Sequence, residues 1–267
     1  MVSASTVAEV DSAVNELVSA AGTVSLEQRI SLCQQCILLV VAAADEWADT
    51  TLRAKQQPNS SGARAEELLS GPAVVLRQLQ LTSQTLRSIQ QRGEPSLPSR
   101  PYRLESGQIC VPVLPTSGLY DSIAFSGIQG IVRLLPDARE SNLFGTLPEL
   151  AAEASIRGLM AVLGAGNVSS IPATDSLYAI MFGGKRVVLK LNPVNDYLFP
   201  VFERIFAPLI NANLLRILKG GVEVGEALVN HPAVDSVHIT GSAATHDVVV
   251  WGSTPDERAQ RKRNHDP

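Results

Sequence analysis

The chain has 267 residues, 45% hydrophobic and 18% charged, with a formal net charge of −4. Enough apolar weight is present to build a core, so a disordered chain is excluded, and a mildly acidic balance gives no field that would gather phosphate backbones or anionic lipid. No nucleic-acid partner and no membrane partner is therefore expected.

The first segment, to about residue 92, carries apolar residues at three- and four-residue spacing, as in Val7, Val10, Val14 and Leu17 and again in Ile30, Cys33 and Ile37. That period predicts amphipathic helices. Pro58 to Gly62 breaks the pattern, and Gly71-Pro72 can open a further helix with proline in its first turn, so three or four helices are expected. Glu9 and Asp11, with no Lys or Arg before Arg29, give the wrong charge order for a secretion signal, and the longest apolar run, Cys36 to Ala44, falls short of the roughly 20 residues that span a bilayer. Ser3 onward is read as helix, not as a leader or an anchor.

Residues 93–150 form a proline-rich connector, with Pro95, Pro98, Pro101, Pro112 and Pro115, feeding extended segments at Gln108–Leu114 and Ile128–Leu135. From 151 to 254 apolar runs alternate with amphipathic ones: Gly158–Leu163 then Asp175–Phe182, Arg186–Leu191 then Asp196–Ile210, Leu214–Leu218 then Val222–Asn230, Ser236–Thr240 then Ala243–Trp251. Strands alternating with helices predict a parallel sheet covered on both faces. The expected fold class is α/β, a helical amino-terminal section followed by a doubly wound Rossmann-like sheet. Residues 255–267, rich in Arg and Lys, are expected as a disordered tail.

Three cysteines, Cys33, Cys36 and Cys110, are too few for a disulfide framework and point to a reducing compartment, the cytoplasm. Cys33-Gln34-Gln35-Cys36 has redox-motif spacing but lies in a helical pattern with no strand before it, which favours packing. The histidines His231, His238, His246 and His265 show no pairing with cysteine suited to zinc, so no metal is expected. Neither a Gly-x-Ser-x-Gly elbow nor a phosphate-binding Gly-x-x-x-x-Gly-Lys-Ser/Thr loop is present.

In open parallel sheets ligands lie beyond the carboxyl ends of the strands. There the chain reads Gly164-Ala165-Gly166-Asn167, Lys190-Leu191-Asn192-Pro193, Lys219-Gly220-Gly221 and Thr240-Gly241-Ser242. The first group lacks the third glycine of the usual dinucleotide fingerprint, and each group alone reads equally as a turn, a solvated lysine or a helix cap. Thr240-Gly241-Ser242 before a helix also offers free backbone N–H groups to a phosphate.

Taken together and in this order, the segments resemble the aldehyde dehydrogenase superfamily, whose members carry a Pro-Trp-Asn turn, a Val-Val-Leu-Lys-Pro-Ser-Glu strand end and Phe-Thr-Gly-Ser. The matching text is Gly166-Asn167, Val187-Val188-Leu189-Lys190 and Ile239-Thr240-Gly241-Ser242, with Gly225-Glu226-Ala227-Leu228 and His231-Pro232-Ala233-Val234-Asp235 between. The resemblance runs from about Leu159 to Gly252 and more weakly from Gln108 to Leu135.

It implies an NAD(P)-dependent oxidoreductase in which Asn167 steadies the developing oxyanion of an aldehyde, Lys190 holds the adenosine ribose and Ser242 lies by the pyrophosphate. Asn192, Gly220, Gly221, Thr240 and Gly241 complete the implied cofactor site. NAD and NADP both remain open, because Pro193 stands where the family has a ribose-binding glutamate, and His246 replaces a glycine. Pro and Trp before the family's asparagine are replaced by Ala165 and Gly166. The resemblance further implies an aldehyde substrate and a homo-oligomer in the complete protein. The family's general-base glutamate and nucleophilic cysteine are not among these residues, so the chain alone is expected to be inactive. Two other readings stand beside it: a non-catalytic truncated fragment, and an ordinary Rossmann oxidoreductase using Gly164-Ala165-Gly166.

Overall fold

The computed structural model describes residues 4–20, 22–58, 60–116, 118–147, 155–252 and 254–264. Ser3, Asn59, the expected boundary at 150 and 151, and 265–267 lie outside the described residues. The chain divides into two compact units, Met1–Ser83 with Glu153–Pro267, and Gln84–Ala152.

The larger unit begins with α1 (Val7–Ser19), α2 (Leu26–Ala54) and α3 (Ser61–Ser70), and α4 (Pro72–Arg92) starts in it. Their starts are encoded locally. The Thr6 hydroxyl accepts the Glu9 N–H while the Glu9 carboxylate accepts the Thr6 N–H, and Ser25 and Gln28 repeat the arrangement. Such reciprocal caps satisfy backbone donors that have no partner inside the helix. α2 is long and apolar enough to cross a membrane by length and composition. It lies instead against the sheet, with Cys33, Cys36, Val40 and Trp47 fully buried.

Four parallel strands follow: β4 (Leu159–Leu163), β5 (Arg186–Lys190), β6 (Leu215–Leu218) and β7 (Ser236–Ile239), in the spatial order β6-β5-β4-β7. The chain winds outward from β4 through β5 to β6, then returns to place β7 on the other side of β4. This is the doubly wound arrangement, with its switch point between β4 and β7. Alternation along β5 shows how both faces are covered: Val187 and Leu189 join a core with α2, while Val188 joins a second core with Val10, Val14 and Leu17 of α1.

The connecting helices are α6 (Ile171–Met181), α7 (Phe199–Ile205), α8 (Ala207–Asn211), α9 (Val222–Val229) and α10 (Ala243–Trp251). The single helix expected over Asp196–Ile210 is instead a 3-10 turn at Pro193–Leu198 followed by two short helices. Pro200 and Pro208 account for the breaks, since each lacks an N–H and falls in the first turn of a new helix.

A second correction concerns the segment from 255. Expected as disordered, it forms α11 (Pro255–Asn264). Thr254 and Glu257 exchange hydrogen bonds at its start, acidic Asp256 and Glu257 sit in its first turn, and Arg261, Lys262 and Arg263 sit in its last. Both ends thus suit the helix dipole.

The smaller unit holds an antiparallel sheet, β1 (Tyr102–Arg103), β2 (Ile109–Leu114) and β3 (Gly130–Arg133), with a short helix α5 (Leu119–Ala124). Ile109, Cys110 and Val111 are buried, whereas Ile131 and Val132 of β3 are exposed.

Candidate functional site

The carboxyl ends of β4, β5 and β7 and the turn after β6 open on one cavity of about 920 Å³, walled by α9, α10 and α11. It brings together Asn167, Lys190, Asn192, Gly221, Thr240, Gly241 and Ser242, seven of the eight residues picked out from the sequence. The volume lies within the few hundred to about a thousand Å³ usual for small-molecule sites.

The loop after β4 is held by its neighbour. Gly164 donates its N–H to the Lys190 carbonyl (2.9 Å), and buried Asn195 donates its side-chain amide to the Ala165 carbonyl (3.0 Å). Asn167 therefore extends from a braced turn. Lys190 is the last residue of β5 and only 8% exposed. Burial lowers its pKa, and the carboxylate of Asp196 opposes that shift. Asp196 is itself pushed up by burial, with Lys190 and Lys219 pulling the other way. The strand end is thus a partly dehydrated cation, well placed to attract an oxygen-rich anion.

Asn192 uses its side-chain oxygen to accept the Val194 N–H (3.1 Å), starting the 3-10 turn. After β6, Gly221 lines the cavity and Gly220 does not. Gly220 serves the backbone: its φ of +128° is a glycine conformation, and a Cβ there would lie 2.8 Å from Val224. The buried Lys219 places its ammonium 4.4 Å from the centre of the Phe199 ring.

At β7 the Thr240 hydroxyl donates to Asp175 of α6 (2.8 Å) and lies 3.3 Å from His238 Nε2. Ser242 caps α10, its hydroxyl accepting the Thr245 N–H (3.1 Å). The side chains of both residues are engaged in structure, so what they offer the cavity is backbone at the start of a helix of nine residues.

Sequence reasoning missed Glu226, Glu257 and Arg261 on the cavity wall and the Asp175–Thr240–His238 cluster beside it. Recognising Thr254-x-x-Glu257 as a capping box would have revealed α11 and with it Arg261. Asp175 has no local signal, because it reaches Thr240 across the fold. Cys33 and Cys36 lie in the α2 core, not at the cavity, with thiols pushed up to about 12 by burial.

No family model matches the chain. Over 102 residues, 36% of its length, it is 30% identical to an N-succinylglutamate 5-semialdehyde dehydrogenase of Erwinia tasmaniensis, of which the match covers 21%. Among solved structures, the Delta-pyrroline-5-carboxylate dehydrogenase of Mycobacterium tuberculosis bound with NAD matches 98% of the chain with a TM-score of 0.60 and 13% identity. Aldehyde dehydrogenase C of Pseudomonas syringae, complexed with NAD+ and octanal, matches 97% with a TM-score of 0.56 and 16% identity. The NADP-dependent glyceraldehyde-3-phosphate dehydrogenase of Bacillus halodurans, complexed with NADP, matches 95% with a TM-score of 0.53 and 13% identity. The chain spans 39%, 41% and 44% of these three structures, respectively, less than half of each.

Proposed function

We propose that this chain is of the aldehyde dehydrogenase type and carries the nicotinamide-dinucleotide side of an aldehyde-oxidising or acyl-reducing enzyme, a reading supported by its partial likeness to an aldehyde dehydrogenase and by its fold. The observation that carries the proposal is the convergence of three strand ends and the turn after β6 on one cavity lined by Asn167, Lys190 and the Gly241-Ser242 helix start.

The residues fit such a ligand. Lys190 supplies a partly dehydrated cation for the adenosine ribose, and Gly241 and Ser242 supply backbone N–H groups to a pyrophosphate. Gly221 leaves the floor open, since apart from its own chain neighbours no atom of the described residues lies within 4 Å of a Cβ placed there. Asn167 is the candidate oxyanion donor: an amide held on a braced loop, whose hydrogen bond strengthens as negative charge grows on an aldehyde oxygen. NAD or NADP, when bound, supplies the hydride acceptor or donor.

Three free thiols among the described residues suit a reducing compartment, and we assign the protein to the cytoplasm. A homo-oligomer in the complete protein and a small aldehyde as substrate belong to the same reading.

One observation favours a second reading, dinucleotide binding without turnover in these 267 residues. Cys33 and Cys36 are buried with raised pKa values, and Cys110 is buried in the smaller unit. A thiolate nucleophile needs the opposite environment, exposed and electropositive. The chain alone is accordingly expected to bind NAD(P) and leave aldehydes unoxidised. Calorimetric titration with both dinucleotides, followed by an assay with assorted aldehydes, tests this. Absence of binding by folded protein at millimolar dinucleotide ends the proposal, and turnover above background by these residues ends the second reading.

A further inference from the structure

Resting on the dinucleotide reading above, we infer that Arg261 is the specificity residue of the cavity and pairs with a phosphate on the ribose 2′-oxygen, so that the chain selects NADP over NAD.

The argument begins at the end of β5. Sites that prefer NAD commonly place a carboxylate beyond the second strand to accept the ribose 2′-hydroxyl, whereas an arginine nearby accommodates a 2′-phosphate. Here that strand runs out into Asn192 and Pro193, both on the cavity wall. Asn192 is a neutral amide whose oxygen accepts the Val194 N–H, and proline has no side-chain acceptor. The strand end therefore carries a cation, Lys190, and no carboxylate on the cavity.

The second half of the argument is the placement of α11. Gly252 turns the chain with φ +109°, and a Cβ there would lie 2.8 Å from the Glu257 Cβ, so the start of α11 packs on the end of α10. Five residues later, Lys262 reaches Asp247 of α10 (2.8 Å), with its ammonium 5.9 Å from the centre of the Trp251 ring. Successive residues of α11 thus run back along α10 toward its first turn.

Arg261, one residue from that anchor, lines the cavity together with Thr245, Val248 and Val249 of α10. Its neighbours are otherwise engaged: Lys262 with Asp247, and Arg258 with the Gly252 carbonyl (3.1 Å). Arg261 lines the cavity from α11, and Lys190 lines it from the end of β5, so one cavity is bordered by two cationic residues. A planar five-donor fork is the side chain best matched to a phosphate monoester.

Two carboxylates share the wall. The Glu257 carboxylate accepts the Thr254 N–H (3.0 Å) and is held at the start of α11. Glu226 is exposed on α9 and is the competing candidate for a ribose hydroxyl.

Calorimetry on the 267-residue chain separates these, using NAD and NADP together with 5′-AMP and adenosine 2′,5′-bisphosphate, which differ only in the 2′-phosphate. Wild type is expected to bind NADP at least about tenfold more tightly than NAD, and the bisphosphate more tightly than AMP by a similar factor. Arg261→Gln should remove most of both preferences, chiefly through weaker binding of the 2′-phosphorylated ligands. Arg261→Lys should keep part, because an ammonium retains the charge but not the fork. Equal affinity for NAD and NADP in wild type overturns the inference, as does a preference undiminished in Arg261→Gln, or an NAD preference abolished by Glu226→Gln. No binding of any dinucleotide or fragment by chain shown folded by circular dichroism overturns the proposed function and this inference with it.

Discussion

The parallel sheet β4–β7 and the antiparallel sheet β1–β3 solve the burial problem differently. β5 is enclosed on both sides, by α1 on one face and α2 on the other, and four of its five residues are buried. In β3, by contrast, Ile131, Val132 and Arg133 are all exposed. A parallel sheet needs helical crossovers that cover its faces, whereas an antiparallel one can leave a face in water. The candidate site follows the first solution, since crossovers place all the strand ends at one edge and helix starts beside them.

The sharpest way to break the comparison is at Phe202. Its ring is fully buried and meets Trp47 edge-on at 5.0 Å and Phe206 at 5.7 Å. Phe202→Ala is expected to destabilise by about 3–5 kcal/mol, from lost burial plus the cavity left in a packed core. Val132→Thr on the exposed strand of the other sheet should change stability by no more than about 0.5 kcal/mol. Urea unfolding of the two variants checks the pair, and comparable destabilisations would refute the contrast.

Next in size is Lys190→Ala. Loss of a hydrogen bond involving a charged group should weaken NAD(P) binding by about 1–3 kcal/mol, measured by calorimetry on folded protein. A pH series sharpens it. Because burial holds the Lys190 pKa below its ordinary 10.5, dinucleotide affinity should begin to fall at a lower alkaline pH than an ordinary lysine would give. Between the folded and unfolded values the unfolded chain holds more protons, so Lys190's contribution to stability rises with pH across that window. Lys190→Met should flatten the alkaline limb of the affinity profile. An unchanged profile in that variant would show that another group titrates.

The smallest expected effect belongs to Asn167→Ala. If the amide faces the reacting carbonyl and not the dinucleotide, its loss should alter NAD(P) affinity by less than about 0.5 kcal/mol. A loss as large as that of Lys190→Ala would move Asn167 into the cofactor site.

Much of the fold was legible because its signals are local. Val187-Val188-Leu189, a short apolar run led by two β-branched residues between Arg186 and the Asn192-Pro193 turn, suits a strand buried on both faces, and Thr6-x-x-Glu9 marks a helix start by its own hydrogen bonds. The break of the 196–210 segment is also written locally, in Pro200 and Pro208, although the apolar period around them favours one continuous helix.

What the sequence by itself determined, then, is the order of strands and helices and the residue types at each strand end, since propensity, caps and turn chemistry act over a few neighbouring residues. Tertiary structure alone decided that Gly221 and not Gly220 faces the cavity, and that Thr240 gives its hydroxyl to Asp175. It also decided that Arg261 joins Lys190 across one cavity. Those outcomes depend on which surfaces meet when the crossovers close, and the shared cavity of two residues 71 positions apart in the chain leaves no mark on the neighbours of either.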